Sequence, residues 1–241
     1  MRRSTAGRPV IGIAGHGYDV PRPFGTLPVY GAPQSYATAI RASGGLPVVV
    51  PPGAGIDLLG VLDALVLTGG GDIDPARYGG VPGAARDVDA GRDEEEIDLV
   101  RAAAVDEVPV LGVCRGLQVL VVAFSGTLRT DVDHDHPATG HAVTTAPGSI
   151  VGTLIGAAST TSALHHQAVE DPGPTWVPTA WAGDGVIEAV EPRHPGWPVL
   201  GVQWHPELTW NEWPHDPTGP AIFGWLVAAA EKRSTRSPVA S

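Results

Sequence analysis

The sequence predicts an α/β fold in a single domain: a mainly parallel central sheet flanked by helices, with antiparallel additions in the C-terminal half. Three observations lead there. Short apolar runs alternate with helical segments up to about Thr127, the pattern of βαβ units. Those runs are apolar throughout rather than at every second residue, as expected of strands covered by helices on both faces. Beyond Thr127, strand-like pieces recur with few helices between them. No repeat and no linker interrupts the 241 residues, so one domain over 1–241 is expected, with 1–8 and 233–241 as flexible tails.

The elements follow in order. Val10–Ala14 reads as the first strand, and Gly15–Gly31 as a Gly/Pro-rich loop. Gln34–Ala42 is a helix closed by Gly44 and Gly45. Pro47–Val50 is a strand stopped by Pro51 and Pro52, Ile56–Leu62 a short helix, and Ala64–Leu67 a strand ending in Thr68-Gly69-Gly70-Gly71. Asp93–Val105 is a helix with Ile97, Val100, Arg101 and Ala104 on one face and acids in its first turn, where the helix dipole favours them. Val108–Val113 is a continuous apolar strand, and Arg115–Phe124 a helix. Ala142–Thr145, Trp176–Trp181, Val186–Val190 and Val199–Trp204 are strands of the second half, and Ala221–Lys232 is the last helix.

Composition narrows the function. The net charge of −11 argues against nucleic-acid and anionic-membrane partners, which this surface would repel. The one cysteine, Cys114, excludes an internal disulfide framework and a multi-cysteine metal site, and fits a reducing compartment. No apolar run approaches membrane-spanning length, and Pro9–Ala14 is too short for a signal-peptide core. A cytoplasmic protein is expected.

The most informative segment is Val110-Leu111-Gly112-Val113-Cys114-Arg115-Gly116-Leu117-Gln118. A buried strand runs into Cys114 and a helix starts at once. Glycines stand two residues before and two after it, the layout of a nucleophile elbow with Cys in place of Ser. On so tight a turn, side chains at those positions would strike neighbouring backbone. A buried structural cysteine is the alternative, and the glycines favour the nucleophile. A thiol needs a base. Val199-Leu200-Gly201-Val202-Gln203-Trp204-His205-Pro206-Glu207 is a second apolar strand with His205 at its tip and Glu207 two residues on, on the same side of an extended chain. An acid beside His fixes its tautomer and stabilises the imidazolium. Taken alone, this stretch reads equally as a surface turn.

Together these segments resemble the class I glutamine amidotransferase family, with a flavodoxin-like fold, and within it the γ-glutamyl-γ-aminobutyrate hydrolase (peptidase C26) branch. The matching stretches are Leu65–Pro75, Arg92-Asp93-Glu94, Gly112–Gln118, Ala163–Val169 and Gly201–Glu207, in the family's order. The resemblance implies Cys114 as nucleophile, His205 as general acid/base and Glu207 as its orienting acid. It puts the oxyanion hole at the backbone N–H groups of Gly70 and Arg115, which agrees with the closeness a glycine loop permits. A phosphate-binding loop fits poorly, since no Gly-Lys-Ser/Thr follows. Gln118 resembles the glutamine that holds the glutamyl group. His165, His166 and Gln167 resemble the segment that binds its α-amino and α-carboxylate ends, although His165 reads equally as part of a buried polar turn. Arg92 and Asp93 match a family pair, read first as an N-cap (Asp93) with a salt bridge and second as substrate contacts.

Asp131–His136 alternates Asp and His in the manner of a metal site, but with Pro137 following it reads better as a solvated acidic loop. Neither a metal nor a cofactor is expected. All seven tryptophans fall between Trp176 and Trp225; Trp204 and Trp210 are candidates for walling the leaving-amine pocket, with core packing the commoner use. Ser125 replaces a frequent family glycine, a change expected to affect packing only. The expected function is hydrolysis of the γ-glutamyl amide bond of a small γ-glutamyl amine, γ-glutamyl-GABA for example, through a cysteinyl thioester. The alternative is a glutaminase subunit delivering ammonia to a separate synthase. The resemblance implies a homodimer, and the pathway lies between polyamine breakdown and biosynthetic deprotection.

Overall fold

The structure, a computed structural model, describes residues 7–81, 83, 85–132, 140–210 and 212–236. The first half contains β1 (Val10–Ala14), β2 (His16–Arg22), β3 (Gly25–Gly31), α1 (Gln34–Ala42), β4 (Leu46–Val50), α2 (Gly55–Leu58), β5 (Ala64–Leu67), α3 (Ala90–Val105), β6 (Val110–Val113) and α4 (Arg115–Ala123). The second contains β7 (Thr127–Arg129), β8 (His141–Thr145), α5 (Ile150–Ile155), β9 (Ala158–Thr161), β10 (Ala168–Asp171), β11 (Trp176–Ala182), β12 (Ile187–Pro192), β13 (Val199–Val202) and α6 (Gly219–Arg236). Short 3-10 turns cover Pro75–Arg77 and Pro206–Trp210.

Eleven strands form one sheet in the order β4-β1-β5-β6-β13-β12-β11-β8-β9, with β10 paired to β12 and β7. The first five are mutually parallel, and the pairings beyond β13 are antiparallel. Alternate residues of the central strands feed opposite faces. Leu65, Leu67 and Val110 pack with Val100 of α3 and Leu117 and Leu120 of α4. Val66, Leu111 and Val113 pack with Ile40 of α1 and Phe223 and Leu226 of α6. Both faces are therefore dry, and each large side chain so buried contributes about 1.5–3 kcal/mol.

Several elements differ from expectation. Gly15–Gly31 is not a loop: β2 and β3 form a separate antiparallel ribbon, from His16 opposite Gly31 to Arg22 opposite Gly25. Pro21 and Pro28 are tolerated because a two-stranded ribbon has free edges. The helix expected at Ile56–Leu62 is four residues long, Gly55–Leu58. α3 begins earlier than Asp93, at Ala90, and its N-cap is Asp89, whose side chain accepts the Arg92 N–H. Its buried stripe comprises Asp93, Glu96, Ile97, Leu99, Val100 and Ala103, while Arg101 faces outward. Ser125 has a φ of 68°, in the region that favours glycine, so a serine at this position acts on the backbone as well as on packing. Of Asp131–His136, residues 133–136 lie outside the described residues.

Candidate active site

Three adjacent parallel strands deliver the site. Leu67 of β5 lies opposite Gly112 of β6, and Val113 of β6 opposite Val202 of β13. The glycine loop, Cys114 and the His205 segment therefore leave the sheet together at its carboxyl edge, where open α/β sheets place ligands. Cys114 occupies the turn itself, with φ 53° and ψ −107°, and its N–H donates to the Val202 carbonyl at 2.8 Å. A Cβ on Gly116 would stand 2.4 Å from the Leu67 carbonyl oxygen, and one on Gly112 2.7 Å from the Gly116 backbone. Both glycines are thus demanded by the close approach of backbone. α4 begins at Arg115, so its positive end lies beside Cys114.

His205 Nδ1 donates to Glu207 Oε1 at 2.7 Å, and Cys114 lies close enough to the ring to act on its charge. Burial disfavours the imidazolium, but the Glu207 carboxylate and Cys114 overcome it and hold the His205 pKa well above its ordinary value. The His205 N–H donates to Ser162 Oγ at 2.9 Å, which anchors the backbone of the base. Gln203, fully buried at the end of β13, directs Nε2 to the Cys114 sulfur at 3.6 Å. The structure thus brings Cys114 together with the hydrogen-bonded pair His205–Glu207.

Gly70 and Arg115 carry backbone N–H groups with no hydrogen-bond partner among the described residues, Arg115 because it opens a helix. Gly69, by contrast, donates its N–H to the Tyr36 hydroxyl at 2.9 Å. The loop is gripped from below by Arg92, whose Nη2 donates to Thr68 Oγ1 at 2.9 Å and to the Gly69 carbonyl at 3.1 Å. Arg92 in turn pairs with Glu96 at 2.8 Å, and Glu96 pairs with the Arg115 side chain. Burial works against the Glu96 charge, but Arg115 and Arg92 hold its pKa below the usual carboxylate value. Asp93 completes the cluster, 2.5 Å from Arg115 Nη2 and accepting the Asp74 N–H at 2.9 Å. Asp93 is therefore a buried ion-pair partner and not the expected helix cap, and both arginines serve the scaffold of the loop.

A cleft of 250 Å³ opens over Cys114, lined by Gly70, Asp72, Arg86, Gln118, His165 and His166 among others. A larger cavity of 480 Å³ lies at the ends of β1 and β4 and does not reach Cys114. Gln118 donates Nε2 to the Gln167 carbonyl at 2.9 Å and to Gln203 Oε1 at 3.2 Å, which fixes its amide and leaves Oε1 as the acceptor. His166 Nε2 lies 2.6 Å from Asp72 Oδ2; burial raises the Asp72 pKa, against the pull of the Arg86 N–H and His166. The side chain of Gln167 is spent on Ile73 and the Tyr78 hydroxyl and its carbonyl on Gln118 and His165, so only its main-chain N–H is left to serve the cleft. His165 is buried between the Gln167 carbonyl, at 3.1 Å, and Glu188, at 3.6 Å. Trp204 is packed in the core, its indole N–H donating to Thr218, and Trp210 stacks edge-on against Phe223; neither lines the cleft. Gln203, Tyr36, Ser162, Asp72 and Glu188 carry no role in the sequence reading. Gln203 alone had a signal: a lone glutamine closing an apolar strand.

No helix among the described residues is long and apolar enough to cross a membrane. Comparison with known proteins agrees with the geometry. The peptidase C26 family pattern matches residues 9–207. A Mycobacterium tuberculosis protein named as a glutamine amidotransferase is 40% identical over 224 residues, covering 86% of this chain and 72% of the relative. The γ-glutamyl-γ-aminobutyrate hydrolase PuuD of Escherichia coli is 34% identical over 203 residues, covering 74% and 78%. The crystal structure of a protein from Thermoplasma acidophilum, named as one of the subunits of a GMP synthase, superposes with a TM-score of 0.65 over 95% of this chain and 97% of that one, at 18% identity, which speaks for the fold. With the elbow cysteine, the glycine loop and the histidine–glutamate pair on the adjoining strand, the chain belongs to the peptidase C26 family of glutamine amidotransferase-like hydrolases.

Proposed function

We propose that the protein hydrolyses the γ-glutamyl amide bond of a small γ-glutamyl amine, releasing glutamate and the free amine. The observation that carries this is Cys114 in the lining of a 250 Å³ cleft, beside the hydrogen-bonded pair His205–Glu207. The Cys114 thiolate attacks the γ-carbonyl carbon. The oxyanion is held by the N–H groups of Gly70 and Arg115. The His205 imidazolium gives its proton to the amine nitrogen, the C–N bond breaks, and a γ-glutamyl thioester remains on Cys114. His205 then takes a proton from water, the hydroxide attacks the thioester, the C–S bond breaks, and glutamate leaves. Gln118 through Oε1, His166 with Asp72, the Gln167 main chain and His165 behind it hold the glutamyl group. No step calls on a metal or cofactor.

The similarity to γ-glutamyl-γ-aminobutyrate hydrolase supports a hydrolase acting on such a substrate. The 40% identical relative named as a glutamine amidotransferase supports the second reading, an ammonia-delivering glutaminase subunit. Intact-mass spectrometry after rapid acid quench tests the shared chemistry. One γ-glutamyl adduct on the wild type, absent from Cys114→Ala, is expected; turnover by metal-free Cys114→Ala refutes it.

A further inference from the structure

Tyr36 lies on α1, remote from Cys114 in sequence, with 1% of its surface exposed. Its hydroxyl oxygen accepts the Gly69 N–H at 2.9 Å. A Cβ on Gly69 would stand 3.4 Å from that hydroxyl and 2.8 Å from Cε1 of His205. Hydroxyl, glycine loop and imidazole edge therefore converge, and α1 packs directly on the Pro206–Trp210 turn that carries Glu207. Oε1 of Glu207 holds His205, while Oε2 is buried with no hydrogen-bond partner among the described residues. A phenol in so dry a place needs an acceptor for its proton. Accepting from Gly69 uses a lone pair and leaves the O–H to give, and Glu207 is the carboxylate whose charge bears on it.

We infer that Tyr36 is a positioning residue that ties the oxyanion loop to Glu207, so that the Gly70 N–H and the His205 base keep one geometry through the reaction. The titratable groups around the hydroxyl are Glu207 and His205 from the 206–210 side and Cys114 from the β6–α4 turn. Burial first, and the Glu207 charge second, push the Tyr36 pKa well above its ordinary value, so the phenol stays a donor. Losing that donor frees Glu207, weakens its hold on the imidazolium, and so weakens the thiolate that the imidazolium supports.

The role rests on the proposed reaction, so the test includes a readout that needs no turnover. Tyr36→Phe keeps the ring and deletes the hydroxyl. With a γ-glutamyl anilide, kcat is expected to fall about 10- to 100-fold with KM within about twofold, because the binding contacts are untouched. With iodoacetamide, the low-pH inflection of Cys114 alkylation is expected to move to higher pH by about half a unit. A folded Tyr36→Phe protein with wild-type kcat and an unmoved or downward-shifted inflection overturns the inference. A shifted inflection in a protein whose wild type cleaves no γ-glutamyl compound upholds the positioning role and refutes the reaction instead. Should the Phe variant not fold, 3-fluorotyrosine at position 36 keeps shape and hydroxyl while strengthening the donor. It should move the inflection the opposite way, and an unmoved one again overturns the inference.

Discussion

The Arg115 guanidinium stands 2.5 Å from the Asp93 carboxylate in a place closed to water, with side-chain exposures of 3% and 0%. The pair joins the first residue of α4 to α3, and through Glu96 and Arg92 it reaches the glycine loop. Both backbone donors of the oxyanion site thus rest on one buried ion cluster.

Breaking that cluster should be costly. Arg115→Met leaves Asp93 and Glu96 short of a cation in the interior, and removal of one partner of a buried pair typically costs 3–5 kcal/mol. Urea unfolding is expected to show a loss of about that size. The double variant Arg115→Met/Asp93→Asn should recover part of it, because one stranded charge is gone. Equal losses in the single and double variants would show that the charges are not coupled.

Glu207→Gln keeps a hydrogen-bond partner beside His205 and removes its charge. Turnover is expected to fall on the order of 10²–10⁴-fold. The pH dependence has a definite sign. The His205 pKa is raised in the folded protein above its ordinary 6.5, so its contribution to stability is fully present below about 6.5 and is lost as pH rises through the folded value. Wild type should therefore exceed Glu207→Gln in stability most at pH 6, with the gap closing toward alkaline pH. A gap that widens with pH would reverse the assignment.

Ser125 holds a φ of 68° just past α4, where its N–H and that of Gly126 close the helix on Val122 and Val121. Left-handed backbone costs a non-glycine residue roughly 1–2 kcal/mol, part of which glycine returns as chain entropy when unfolded. Ser125→Gly should raise stability by about 0.5–1 kcal/mol, read as a higher urea midpoint with unchanged slope. A lowered midpoint would mean that the serine side chain contributes more than the strain removes.

The parts of the fold and site that could be read from sequence are those encoded in contiguous residues. Gly112, Cys114 and Gly116 announce the elbow because one short segment must satisfy a steric demand that the 2.4 Å approach to Leu67 makes explicit. The parallel strands are legible because helices on both faces leave nothing polar in them. The β2–β3 ribbon was hidden by Pro21 and Pro28, which ordinarily mark loops. β7, β9 and β10, at three or four residues, are too short to show a period. Asp89 outcompeted Asp93 as the α3 cap because either acid suits a first turn, and only the tertiary partner Arg115 decides between them. Tyr36 reaches the site through helix packing, and local sequence carries no mark of that.

The most direct test is glutamate release from a panel of γ-glutamyl-GABA, γ-glutamyl-putrescine, a γ-glutamyl anilide and free glutamine, with Cys114→Ala as control. Fast release from one γ-glutamyl amine, slow release from glutamine and none from Cys114→Ala are expected. Activity confined to glutamine, activity on no member of the panel, or activity retained by Cys114→Ala would contradict the proposed stand-alone γ-glutamyl hydrolase.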